Sequence, residues 1–166
     1  QGNAAGIEGV FRDITERKKA EEELRKQKVL FENLFATTPE AIAIVDHNDQ
    51  VMEINQSFSH LFGYSREESL GKPVNDLIGL GQVRSDAENI TMAVAGGQTI
   101  MREGQRSRKN GLLVDVSIIG CPILVQGLQI GAFAIYRDIS DQKRSMAALE
   151  ESESKLKNLF ESMPNG

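Results

Sequence analysis

The 166-residue chain has no Trp, a single Cys (Cys121), four Pro and only 5% aromatic residues. One cysteine can form neither an intramolecular disulfide framework nor a multi-cysteine zinc site. Positive charge is not in surplus: 19 Lys and Arg against 24 Asp and Glu leave a net charge of −5. A nucleic-acid binder carries a basic footprint instead. Long hydrophobic runs are missing too. Stretches such as Ala41–Val45 and Ile130–Tyr136 fall far short of the roughly 20 residues that cross a bilayer as a helix. No charged-then-apolar leader opens the sequence, so the expectation is a cytoplasmic globular protein without a secretory signal or membrane insertion. What is present is 40% apolar residues, enough to bury the core of one ordinary domain, with or without extensions.

The chain also repeats itself. Displaced by about 125 positions, it falls into register without a gap. Val10-Phe11-Arg12-Asp13-Ile14-Thr15-Glu16 lands on Ile135-Tyr136-Arg137-Asp138-Ile139-Ser140-Asp141, and Asn33-Leu34-Phe35 lands on Asn158-Leu159-Phe160. Two unrelated amphipathic helices would not share the Arg-Asp-Ile or Asn-Leu-Phe blocks. The sequence reads as one full period, from about Leu30 to Ile139, a domain-sized length, between the end of one unit and the start of another. By the same alignment Gly6–Ile14 matches a final strand whose own sheet is missing. Its backbone groups need a partner, so it is expected to pack on this domain or on a neighbouring chain, by strand addition.

Local patterns fill in the period. Thr15 and Ser140, each followed by an acid, read as helix N-caps. Beyond them Ala20, Leu24, Gln27, Phe31 and Leu34, and again Ser145, Leu149, Ser152, Leu156 and Leu159, recur at spacings of three and four. That seam suits a dimerising connector better than a merely solvated surface helix. Ala41–Val45, apolar on both faces, and Val51–Ile54 read as strands. Asn55 is placed to cap a short helix carrying Phe58, Leu61 and Phe62, which Gly63 ends. Ser65 and Glu68 form a capping box, Val74–Ile78 another helical turn, and Val83–Ala95 a longer helix with Ile90 and Val94 inside.

The last third is β. Thr99–Arg108 and Leu112–Leu124 meet at Asn110-Gly111, the pair favoured in a type I′ hairpin, and Gln126-Gly127 turns into Gln129–Asp138. Val114, Val116 and Ile118 alternate with polar residues, giving one buried face. Two strands apolar on both faces, flanked by one-faced strands, imply a five-stranded antiparallel sheet with those two nearest its centre. Short helices would cover one face, and the amphipathic helix ending at Leu34-Phe35 the other. Arg102, Arg106, Arg108 and Lys109, with Glu103 among them, read as a solvated hairpin face.

The sequence resembles a PAS domain of the microbial signal-transduction type. The resemblance rests on Phe31-Glu32-Asn33-Leu34-Phe35 leading to Pro39-Glu40-Ala41-Ile42, then Val51-Met52-Glu53-Ile54-Asn55-Gln56-Ser57-Phe58. It continues through Phe62-Gly63-Tyr64-Ser65-Arg66-Glu67-Glu68, Gly71-Lys72-Pro73 and Arg108-Lys109-Asn110-Gly111 to Arg137-Asp138-Ile139-Ser140. It implies an α+β PAS fold, with strand order B-A-I-H-G, short helices on one face and long amphipathic helices at both ends. The expected divisions are 1–15, the end of a preceding PAS; 16–36, a connector helix; 37–139, the PAS domain; 140–160, the outgoing helix; and 161–166, the start of a following PAS.

The resemblance also frames the site. Carrying over the family topology makes Ala43, Val45, Ala132 and Ala134 inward residues of the central strands, beside Val116 and Ile118. Phe58, Phe62, Leu77, Ile90 and Val94 form the opposite wall. Small inward residues leave room for a small apolar metabolite; the alternative is that the bulky helix residues fill the space. With few polar residues in this shell an anion such as citrate is a poor fit, and only Arg84 and Tyr136 are polar candidates. Oxygen-sensing haem members carry a ligand His on the long helix, where this chain has none; His60 and His47 lie elsewhere. Flavin photosensors of the light-oxygen-voltage type need a Cys on a helix, whereas Cys121 sits in a strand context. No cofactor and no metal are therefore expected, and no catalytic residue: Gly79-Leu80-Gly81-Gln82 lacks the rest of any phosphate-binding motif.

The family implies a sensory or relay module of a multidomain receptor, with a histidine kinase as the expected receptor. Arg137, Asp138 and Ser140, with Asp13 and Thr15 in the preceding copy, would couple the last strand to the outgoing helix. Leu24, Phe31, Leu34, Leu149 and Leu156 would hold a homodimer, with adjacent PAS and output domains of the same chain as partners. The alternatives are a ligand-free dimerisation spacer and a module of a diguanylate cyclase or chemoreceptor.

Overall fold

The structure, a computed structural model, describes residues 3–165 and divides at Thr38 and Pro39 into two compact units. The first is a single helix, α1 (Asn3–Thr37). Arg17 and Glu21 pair across one of its turns at 3.2 Å, and Arg25 and Glu22 at 2.8 Å. This overturns the reading of Gly6–Ile14 as a strand, and with it strand addition. A lone strand leaves its backbone donors and acceptors without a ladder, whereas a helix satisfies them within the segment. Thr15 is likewise no cap: it lies inside α1, and its hydroxyl donates to the Phe11 carbonyl at 2.9 Å.

The second unit is a five-stranded antiparallel sheet with short helices on one face. Its elements are β1 (Ala41–Asp46), β2 (Val51–Ile54), α2 (Gln56–Phe62), α3 (Arg66–Ser69), α4 (Val74–Ile78), a 3₁₀ turn (Gly81–Val83), α5 (Arg84–Ala95), β3 (Ile100–Ser107), β4 (Leu113–Val125), β5 (Leu128–Asp138) and α6 (Ser140–Ser162). The strand order is β2-β1-β5-β4-β3, the expected PAS order, with the two strands apolar on both faces at and beside the centre. Register fixes the inner face. Ala41, Ala43 and Val45 stand opposite Tyr136, Ala134 and Ala132, and Ile118 and Gly120 stand opposite Tyr136 and Ala134.

Asn55 joins the sheet to the helices. Its carboxamide oxygen accepts the Ile42 N–H of β1 at 2.9 Å and the Phe58 N–H of α2 at 3.0 Å, and its amide donates to the Glu40 carbonyl at 2.8 Å. One buried side chain thus caps α2 and pins it to β1. Gly63, left-handed at φ 85, ends α2. The Ser65–Glu68 capping box starts α3, with both reciprocal bonds present.

Two local expectations change. Asn110-Gly111 does not form a two-residue type I′ turn: among these residues only Gly111 has positive φ, and its N–H closes on the Arg108 carbonyl at 2.9 Å. That is a type I turn followed by a left-handed residue. The Lys109 N–H is held by the Phe62 carbonyl at 2.8 Å, which fastens the longer loop to the end of α2. The type I′ turn lies instead at Gln126-Gly127, where φ is 51 and 79. At the start of α6, Ser140 is the first helical residue rather than the cap, and its N–H is taken by the Asp138 carboxylate at 2.9 Å.

Asp49, in the turn between β1 and β2, is left-handed at φ 63. Burial raises its carboxyl from the ordinary 3.8 to about 6; Arg84 opposes this, while Asp46 and Asp76 add to it. An acid raised on folding favours the folded state while protonated. That contribution is fully present below 3.8 and is lost as pH climbs through about 6. Asp49→Asn keeps a residue tolerant of positive φ and should raise the urea midpoint at about pH 8, the gain closing by about pH 4. Asn55→Ala should lower unfolding free energy by about 2 kcal/mol at every pH, measured by chemical denaturation.

Candidate functional site

A cavity of about 310 Å³ lies between α5 and the inner faces of β1 and β5, reaching from the His47–Asp49 turn to Gln129. Its origin is steric. Ala132 and Ala134 cover little of the sheet below α5, while at Gly120 the helix closes down: a Cβ there would come within 2.9 Å of Val94 Cγ2.

Of the eleven residues expected to form a pocket, Val45, Ile90, Val94, Ala132 and Ala134 line this cavity. Ala43, Phe58, Phe62, Leu77, Val116 and Ile118 do not; they are buried in the core beside it. There Phe58 and Phe62 pack at 4.8 Å, and the Tyr136 ring meets Phe62 edge-on at 5.3 Å. The interior is filled by aromatics in one half and hollow in the other.

The lining is more polar than the sequence suggested. Arg106, expected on a solvated face, is 2% exposed and lines the cavity with Tyr136, Asn75, Thr91, Gln129 and Asp49. Strand alternation explains it. Arg106 pairs with inward-facing Val114, Gly104 with Val116 and Arg102 with Ile118, so all three share the inner face of β3. The hairpin register alone would have placed Arg106 there. Its Nη1 donates to Asp86 Oδ2 of α5 at 2.8 Å and to the Gln105 carbonyl at 2.6 Å. Arg102 pairs with the same Asp86 carboxylate. Among the described residues, neither Nε nor Nη2 of Arg106 has a partner, nor does the Tyr136 hydroxyl. Burial pushes the Tyr136 phenol up to about 12, against the pull of the Arg106 charge.

Arg84 is directed elsewhere, to Asp76 at 2.6 Å and Glu88 at 2.5 Å. Asn75 donates to Thr91 Oγ1 at 2.9 Å, and Gln129 to the Val94 carbonyl at 3.1 Å. Cys121 pairs with Phe133 and alternates with Gly120, which puts it on the face opposite the cavity. His60 is on α2 and His47 in the β1–β2 turn. Among the described residues, no group of three or more His, Cys, Asp or Glu side chains is placed to hold a metal ion.

The junction to α6 is built from the other set of expected residues. Arg137 pairs with Glu40, Nε to Oε1 at 2.7 Å, and Asp138 with Arg108 at 3.4 Å. Partial burial works to raise the Asp138 carboxyl, but bonds from the Ser140 hydroxyl and amide, with the Arg108 and Arg144 charges, hold it below its usual range. Buried Ile139 donates its N–H to the Asp115 carbonyl at 3.0 Å, and Lys143 reaches the Asp115 carboxylate at 3.2 Å. Asp13 and Thr15, the repeat equivalents of Asp138 and Ser140, lie within α1 and form no such junction. Leu24, Phe31 and Leu34 on α1, and Leu149 and Leu156 on α6, are exposed.

Comparison with known proteins places this architecture. The PAS domain family model matches residues 39–141. Among curated proteins, the sensor protein FixL of Bradyrhizobium diazoefficiens is 31% identical over 77 residues, 46% of this chain and 15% of that protein. Sporulation kinase E of Bacillus subtilis is 25% identical over 157 residues, 95% of this chain and 21% of that protein. The chain therefore spans only a small part of the length of either. A solved PAS domain from Colwellia psychrerythraea superposes with a TM-score of 0.61 at 26% identity, covering 71% of this chain and 98% of that one. Among the described residues no helix is long and apolar enough to cross a membrane. Family match and strand order agree, and the chain belongs to the PAS domain family.

Proposed function

We propose that this module serves a sensor histidine kinase, taking its input at the cavity and passing it to the following domain through α6 in a helical homodimer. One observation carries the reading: β5 is both a wall of the cavity and the lead-in to α6. Ala132, Ala134 and Tyr136 line the cavity, and a single residue, Ile139, separates β5 from α6. A shift of β5 against β4 acts on the bond from Ile139 to Asp115 and on the capping bond to Asp138. A cap is worth about 1 kcal/mol, enough to move a balanced two-state helix junction about fivefold. Similarity to one protein named a sensor protein and to another named a sporulation kinase supports the sensory and kinase assignments. The exposed seam residues of α1 and α6 support the dimer, since a solvated helix alone does not call for apolar residues at heptad spacing.

Asp138→Ala and Ser140→Ala in the intact receptor should change autophosphorylation several-fold, with Asp138→Ala the larger, while the domain's melting temperature stays within a few degrees. Unchanged output in both variants would leave a passive spacer. By light scattering, the chain should be dimeric, and Leu149→Glu combined with Leu156→Glu should make it monomeric. A monomeric wild-type chain at micromolar concentration would refute the homodimer.

A further inference from the structure

We infer that the cavity takes a small monocarboxylic acid, its carboxylate held by the Arg106 guanidinium and the Tyr136 hydroxyl and its apolar body seated against Ile90, Val94 and Ala132. The inference rests on the cavity being the module's input site, and it adds the chemistry of what enters.

Charge provides the first argument. Arg102 and Arg106 share the single carboxylate of Asp86, so one positive charge at this side of the cavity is left without a counter-charge among its direct partners. Asp46 and Asp49 also line the cavity, and the Asp49 charge reaches Tyr136 as well. Asp46 is already engaged by the Asn48 and Gln50 amides, at 2.8 and 3.0 Å. A single carboxylate is drawn to the Arg106 side, whereas a diacid would press its second charge against Asp49. The polarity of the cavity therefore selects one acid group and sets its direction.

Unused donors provide the second. Arg106 is 2% exposed and Tyr136 is 5% exposed, yet Nε and Nη2 of the one and the hydroxyl of the other have no partner among the described residues. Among the described residues no fully buried side-chain nitrogen or oxygen lacks a partner, so these donors are atoms that reach the cavity space and stand open to a ligand. The edge of a guanidinium matches a carboxylate in geometry, and bonds of this kind are about twice as strong as neutral ones. The remaining wall is aliphatic, and the cavity volume of about 310 Å³ is at the small end of small-molecule sites.

The test titrates the 166-residue chain, by heteronuclear NMR and calorimetry, with benzoate, cyclohexanecarboxylate and hexanoate. Benzamide serves as the neutral isostere and terephthalate, with its carboxylates at opposite ends of the ring, as the diacid. At least one monoacid should bind and shift the resonances of Ala132, Ala134 and Val94. Benzamide and terephthalate should each bind about tenfold more weakly or worse. Tyr136→Phe keeps the ring against Phe62 and should cost about five- to tenfold in affinity; Arg106→Lys should cost at least as much. If Arg106→Lys does not fold, Tyr136→Phe and the benzamide comparison still decide. No binding by any monoacid at millimolar concentration, equal binding of benzoate and benzamide, or undiminished binding by Tyr136→Phe overturns the inference. Binding with no effect of Asp138→Ala on output would remove the relay and keep the ligand; the reverse pattern would remove the ligand and keep the relay.

Discussion

A guanidinium buried on the inner face of an edge strand must be paired, and the Arg106–Asp86 contact is where this domain meets that demand. Asp86 is a third exposed but Arg106 is not; losing the pair would strand a buried charge, so α5 is not free to choose its height above β3. Gly104 makes the approach feasible, since a Cβ there would stand 3.3 Å from Asp86 Oδ2. α5 is anchored to β3 at Asp86 and touches β4 where Val94 covers Gly120. Between these supports the helix bridges Ala132 and Ala134 without filling the space beneath. The hollow is thus the product of one electrostatic tether, one close contact and a floor of small residues.

Tyr136 links the two halves of the interior. Its ring belongs to the packed cluster with Phe58 and Phe62, its hydroxyl is part of the cavity wall, and its backbone is three residues from the buried Ile139 that precedes α6. Displacement of this side chain therefore reaches the aromatic core and the exit strand together. Close-packed interiors transmit such movements rather than absorb them. Asn55 works in the opposite sense at β1, holding α2 to the sheet through bonds that do not involve the cavity.

How much of this could be read in advance depends on the kind of interaction. Asn55, Gly63 and the Ser65–Glu68 box are local, and their residue types dictate their geometry. Strand order followed from which strands are apolar on both faces, together with the family resemblance. Arg106 was misread because four basic residues in a short stretch look like a solvated run, although alternation and pairing with Val114 put it inside. The partner that makes its burial tolerable, Asp86, is 20 residues away on a helix, and nothing local announces it. Gly6–Ile14 was misread for the converse reason. Similarity to a final strand describes side chains, while the choice between strand and helix was decided by where the backbone bonds could go. Thr15 fell with it, since a cap presupposes a helix that starts there. The choice of Asp138 over Ser140 as the group that closes the first turn of α6 depends on backbone angles that residue types two positions apart do not distinguish.

The outgoing helix has a further consequence. Its 23 residues run unbroken from Ser140 to Ser162, about 35 Å of α-helix. Each residue advances the helix by about 100° around its axis as well as 1.5 Å along it. Such a rod carries an angular phase as well as a length. Removing a single residue from its middle would swing everything attached to its far end by more than a quarter turn, whereas removing seven would shorten it by two turns and almost restore the original bearing. If α6 joins the module to an output as proposed, its length could change in sevens but not in ones, a periodic constraint on how the two can be spliced.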